Sequence, residues 1–271
     1  MSAAPGWQPA MQGATPFFAC AADPRFPYCL YVPARRGAGP APLLVAVHGS
    51  DRKPEALREL CTPLAERTGA VVLAPLFPIG STAPDDEPGY KFGLFRGLRY
   101  DQALLAMVED AAARVPIDTR RFALAGFSGG GQFALRFLLL QPHRLHAVSI
   151  GAPGYVTLVD EALPWWTGIG DFAAVFGHPP DLAAMRRVAV HLVIGAEDTE
   201  TEVIRLPEGH PLWVPGADRQ GATRIARIEA LADSLRAQGI AATLDVVPGV
   251  GHSGEATFPA VAAFLAPRLA P

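Results

Sequence analysis

Six short apolar runs, each followed by a turn and then an amphipathic stretch, constrain this chain more than any other feature. They are Leu43–Val47, Ala70–Ala74, Phe122–Ala125, Ala147–Gly151, Ala189–Gly195 and Thr243–Val247. Helical patterns lie between or after them, over Glu55–Thr68, Tyr100–Arg114, Gly130–Leu140, Gln220–Gln238 and Phe258–Leu265. Leu104, Leu105, Val108 and Ala112 make one apolar face of the second, and Ile225, Ile228, Leu231 and Leu235 give the fourth a buried stripe. Buried strands alternating with helices predict an α/β fold: a mostly parallel central sheet with helices on both faces.

Smaller signals refine that outline. Pro54 and Gly69 bracket the first helix, and Pro63 inside it is expected to kink or split it. Residues 1–24, rich in Pro, Ala and Gly, read as a loosely packed lead-in, and Phe26–Val32 as an early edge strand. The 271 residues make one domain, 1–271, in which the segment 153–187 is longer than a simple connection and reads as a small cap insertion.

Composition removes several classes of function. Half the residues are apolar and 18% are charged, the balance of a globular chain with a large core. The apolar runs fall short of the roughly 20 residues a membrane helix needs, so no membrane span is expected. The net charge of −3, without any Lys/Arg cluster, argues against nucleic acid as a partner. Cys20, Cys29 and Cys61 are odd in number and form no CxxC pair, while Met1–Gly13 has no basic-then-apolar leader pattern. These features point to reduced thiols and a cytoplasmic protein, with one disulfide as the alternative. His143, His146 and His191 lack metal-ligand spacing, so neither a metal nor a cofactor is expected.

The chemistry-bearing motif is Gly126-Phe127-Ser128-Gly129-Gly130, placed where a strand meets a helix. A serine in such a corner sits on a tight turn with its hydroxyl exposed at the end of a sheet. A serine needs a base to remove its proton, and the base needs a carboxylate to orient it. Asp198, just past one strand, and His252, just past the last, follow in the order Ser, Asp, His. Glu197, Glu200 and Glu202 compete with Asp198, and His178 and His210 with His252, but all of these read more simply as loop residues. His48, after another strand, reads as structural. Sites in such sheets form at the carboxyl ends of strands, where His48, Ser128, Asp198 and His252 all fall.

On His48-Gly49-Ser50, Gly126–Gly130, and the Asp198 and Gly251-His252 segments, the chain resembles the α/β-hydrolase superfamily, over about residues 41–265. The resemblance is to bacterial serine esterases of the depolymerase and feruloyl-esterase-like branch. It implies that Ser128, Asp198 and His252 are catalytic and that the backbone N–H groups of Gly129 and Ser50 form the oxyanion hole. The substrate would be a small-molecule ester. There is no HGGG run and no cysteine nucleophile, which sets aside two other branches. Phe127, Trp165, Trp166 and Trp213 are the expected walls of a substrate pocket, although paired tryptophans also serve as core plugs. An amidase, a thioesterase or an acyltransferase would use the same triad, and a ligand-binding homologue without activity is the remaining alternative.

Overall fold

In a computed structural model, which describes residues 6–35, 37, 39–217 and 220–269, the strand runs assemble into a single sheet. The strands are β1 (Gly13–Ala14), β2 (Phe18–Ala19), β3 (Pro27–Val32), β4 (Leu43–Val47), β5 (Val71–Pro75), β6 (Leu94–Phe95), β7 (Leu98–Arg99), β8 (Phe122–Phe127), β9 (Leu145–Gly151), β10 (Ala189–Gly195) and β11 (Ala242–Val247). The helices are α1 (Pro54–Thr68), α2 (Tyr100–Ala112), α3 (Gly129–Leu140), α4 (Phe172–Phe176), α5 (Leu182–Met185), α6 (Arg224–Ala237) and α7 (Gly254–Leu269). The sheet order is β1-β3-β5-β4-β8-β9-β10-β11, with β2 also on β3. From β5 to β11 every neighbouring pair is parallel, and β1, β2 and β3 are antiparallel additions at one side. β6 and β7 form a separate hairpin.

The two faces of the sheet follow from the alternation of side chains along each strand. Leu43, Val45 and Val47 of β4, with Phe122 and Leu124 of β8, enter one core beside residues of α2, α3 and α6. Leu44 and Ala46, with Ala123 and Ala125, enter the other beside α1 and α7. The second face is built largely from alanine.

Four local expectations need correction. The lead-in is not loose: β1 and β2 pair with β3, and the Thr15 hydroxyl accepts the Leu30 N–H at 2.9 Å. Its first residues, 1–5, lie outside the described part. For the same reason β3 is not an edge strand. Pro63 does not break α1; it lies on the helix's exposed side, one turn beyond the exposed Glu59 whose carbonyl it leaves without a donor. The last helix begins earlier than its apolar pattern suggests, because the Ser253 hydroxyl accepts the Ala256 N–H at 3.2 Å and starts it there.

The segment 153–187 carries only the short helices α4 and α5 between β9 and β10. Among the described residues no helix is long and apolar enough to cross a membrane. Cys20, Cys29 and Cys61 are free and buried, and burial pushes the Cys29 thiol up to about 11 and Cys61 to about 12.

Candidate active site

The chain leaves β4 toward β5 on one side and later returns to β8 on the other, so the sheet order reverses between β4 and β8. The carboxyl ends of two such strands part and open a crevice. His48–Ser50 leaves β4 there, and Ser128 leaves β8. Ser128 has φ 55° and ψ −116°, a conformation costly for any residue with a side chain. Its N–H donates to the Gly151 carbonyl at 2.9 Å, and its own carbonyl accepts the Gln132 N–H at 3.0 Å, so the strained corner is held on both sides. The corner closes because its neighbours have no side chains. A Cβ on Gly126 would overlap the Gly130 carbonyl, and one on Gly130 would overlap the Val47 carbonyl oxygen.

Asp198 and His252 arrive from the carboxyl ends of β10 and β11. His252 Nδ1 lies 2.6 Å from Asp198 Oδ2, and its Nε2 lies 3.0 Å from Ser128 Oγ. With the Nδ1 proton donated to the carboxylate, Nε2 is left to accept the serine proton. Asp198 is 1% exposed, whereas Glu197, Glu200 and Glu202 face solvent. Gly195 lets the last two strands' loops meet, since a Cβ there would strike the Val250 and Gly251 carbonyls.

Arg224, which sequence reasoning missed, completes the carboxylate's surroundings. The Thr223 hydroxyl caps α6 by accepting the Ala226 N–H at 3.1 Å, placing Arg224 in the first turn. From there its Nη1 donates to Asp198 Oδ1 at 2.9 Å. Burial pushes the Asp198 carboxyl up, but the hydrogen bond from His252 and the charges of His252 and Arg224 outweigh it and hold the carboxyl below its ordinary value. Nothing in the local sequence marks Arg224, which follows the acid by a long irregular loop.

The loop after β4 lies against the serine corner. A Cβ on Gly129 would lie 3.2 Å from the Ser50 nitrogen, so the Ser50 backbone and the start of α3 are side by side. The Tyr90 hydroxyl donates to the His48 carbonyl at 3.2 Å, and Arg52 Nη1 donates to the Ser50 carbonyl at 3.0 Å. His48 itself is structural: its Nδ1–H donates to the Gly49 carbonyl at 2.7 Å and its Nε2 accepts the Phe77 N–H at 3.0 Å.

Burial lowers the His48 pKa from 6.5 to about 4. Below its ordinary value the unfolded chain takes up a proton that the folded chain refuses. The stability His48 contributes is therefore complete above 6.5 and is lost as pH falls from there toward 4, a change on the order of 3 kcal/mol. Urea midpoints are expected to fall between about pH 7 and about pH 5, and to fall less steeply in His48→Gln. Equal slopes in the two proteins would take His48 out of the account.

A cavity of about 800 Å³ opens at Ser128 and His252 and runs between α1 and α7. Phe127 lines it, with its ring 4.8 Å from that of His252. Trp165, Trp166 and Trp213 do not. Trp166 packs against Phe92 and Tyr155 and donates its Nε1–H to the Leu212 carbonyl at 2.9 Å. Trp165 stacks edge-on against Phe172 and Phe176. Trp213 joins the cluster around Trp166. These rings plug an irregular region that has no regular hydrogen-bonded layer of its own.

No family model and no curated protein matches the sequence. Solved structures do. Poly(aspartic acid) hydrolase-1 from Sphingomonas sp. KT-1 is 22% identical over 93% of this chain and 98% of its own, with a TM-score of 0.74. A poly(3-hydroxybutyrate) depolymerase from Bordetella parapertussis is 25% identical over 91% of this chain and 85% of its own, with a TM-score of 0.70. A fluorophosphonate-binding serine hydrolase from Staphylococcus aureus is 12% identical over 90% and 92%, with a TM-score of 0.59. Sheet order, helix placement and this end-to-end likeness agree: the chain has the α/β-hydrolase fold.

Proposed function

We propose that the chain is a serine hydrolase that cleaves a small-molecule carboxylic ester through an acyl-enzyme on Ser128. The observation that carries this reading is the hydrogen-bonded chain Asp198–His252–Ser128, with spacings of 2.6 and 3.0 Å. His252 Nε2 takes the hydroxyl proton as Oγ attacks the ester carbonyl, and Asp198 stabilises the imidazolium that forms. The carbonyl oxygen, now negative, is met by the N–H groups of Gly129 and Ser50. Removing one such donor typically costs about 3–4 kcal/mol. His252 then returns the proton to the leaving alcohol, and in the second half it activates water to release the acid.

The test is intact-mass analysis after exposure to a fluorophosphonate. One adduct, mapped to the peptide containing Ser128, is the expected result, followed by faster turnover of an ester than of the matching amide. No adduct, or an adduct elsewhere, overturns the proposal.

Arg224 gives the reading a further consequence. It shares the Asp198 charge with His252, so its loss leaves the whole charge to stabilise the imidazolium. Arg224→Gln is expected to move the acid limb of the kcat/KM profile upward, with Arg224→Lys restoring most of it. A uniform drop in rate with an unmoved acid limb would leave Arg224 only a scaffold role.

A further inference from the structure

The cavity beside Ser128 continues well past the reacting atoms. Its accessible walls are Leu57 and Leu60 of α1 and Phe258 and Val261 of α7, with Ala125 of the sheet at its floor, and Ala46 and Cys61 lie fully buried behind them. The strands of Ala46 and Ala125 carry Val45 and Leu124 on their other face, in the core beside α2, α3 and α6. At about 800 Å³ the space lies within the roughly 300–1,000 Å³ of small-molecule sites.

We infer that this cavity holds the acyl half of the substrate, and that the acyl group is an uncharged, mainly aliphatic chain longer than acetyl. The inference rests on the proposed ester hydrolysis. The acyl group remains bonded to Ser128 in the intermediate, so the recess between α1 and α7 beside it can hold it through both steps. The leaving alcohol is protonated by His252, whose side chain is 31% exposed, so it departs on the solvent side. Charge chooses the chemistry: Asp51, Glu59 and Glu255 border the cavity against Lys53 alone, which disfavours a carboxylate-bearing chain.

The experiment compares p-nitrophenyl acetate with p-nitrophenyl octanoate in the wild type, Leu57→Trp and Val261→Ala. Leu57 lines the cavity from α1, at its partly exposed side, where a larger ring fits with little disturbance of the core. Leu57→Trp is expected to lower octanoate turnover roughly tenfold or more while acetate stays within about threefold, and Val261→Ala to favour still longer chains. Calorimetry of octanoate binding to Ser128→Ala, with and without Leu57→Trp, gives a readout free of turnover, and the second substitution is expected to abolish binding. Octanoate turnover unchanged in Leu57→Trp, or equal losses on both esters, overturns the inference while ester hydrolysis stands. Absence of both ester turnover and fluorophosphonate labelling would instead bring down the proposed activity, and the inference with it.

Discussion

Ser128→Ala is expected to lower ester turnover by roughly 10⁴- to 10⁶-fold with the fold intact. That is about 5–8 kcal/mol of transition-state stabilisation, far more than the hydroxyl contributes to folding. The strained corner does not depend on Oγ, since it is held by the Ser128 N–H on Gly151 and the Ser128 carbonyl under Gln132. What remains after the substitution is binding and the proposed N–H pair at Gly129 and Ser50. The measurement is single-turnover hydrolysis of one ester by both proteins, with thermal unfolding beside it. A loss below about tenfold, with an unchanged melting temperature, would show that another group delivers the nucleophile.

Gly130→Ala is expected to damage the site severely, and to act on folding first. The added carbon would overlap the Val47 carbonyl oxygen and lie 2.8 Å from the His48 carbonyl oxygen, both backbone atoms of the adjoining β4 loop. Neither can rotate aside, so α3 and β4 must separate. Overpacking of this kind costs about 3 kcal/mol or more, worth roughly 6–12 °C in melting temperature for a chain of this size. Activity should fall even at temperatures where the variant remains folded, because the same separation pulls Ser50 from Gly129. Gly39→Ala is the control: nothing lies within 4 Å of its added carbon, and stability should hold within about 0.5 kcal/mol. Equal melting temperatures for the two variants would refute the close-approach account.

The strands that carry the site were legible because each is a short apolar run ended by a turn. Ala189–Gly195 and Leu43–Val47 coincide with β10 and β4 residue for residue. β1 and β2 were not legible. A two-residue strand has no alternation to read, and both exist only because β3 offers them hydrogen bonds. The order Ser128, Asp198, His252 marked three strand ends in the sequence, and the structure brings all three within hydrogen-bonding distance. The expectation of tryptophan pocket walls comes from the long 153–187 segment and the loop after Asp198, with core plugs as the alternative. The rings' position under the loops depends on partners such as Phe92, Tyr155 and Phe176, which lie elsewhere in the chain.

By itself the sequence determined the α/β alternation, the small residues at the serine corner and the strand-end positions of Ser128, Asp198 and His252, the residues of the proposed triad. Each is a local property: hydrophobic period, steric demand and side-chain chemistry act over a few residues. Only the tertiary structure decided that Arg224 braces Asp198, that His48 is kept neutral by its neighbours, and that a cavity opens beside Ser128 between α1 and α7. Those outcomes come from segments tens of residues apart meeting across the sheet. Burial and charge pairing act on whatever the fold brings into contact, whatever the spacing along the chain.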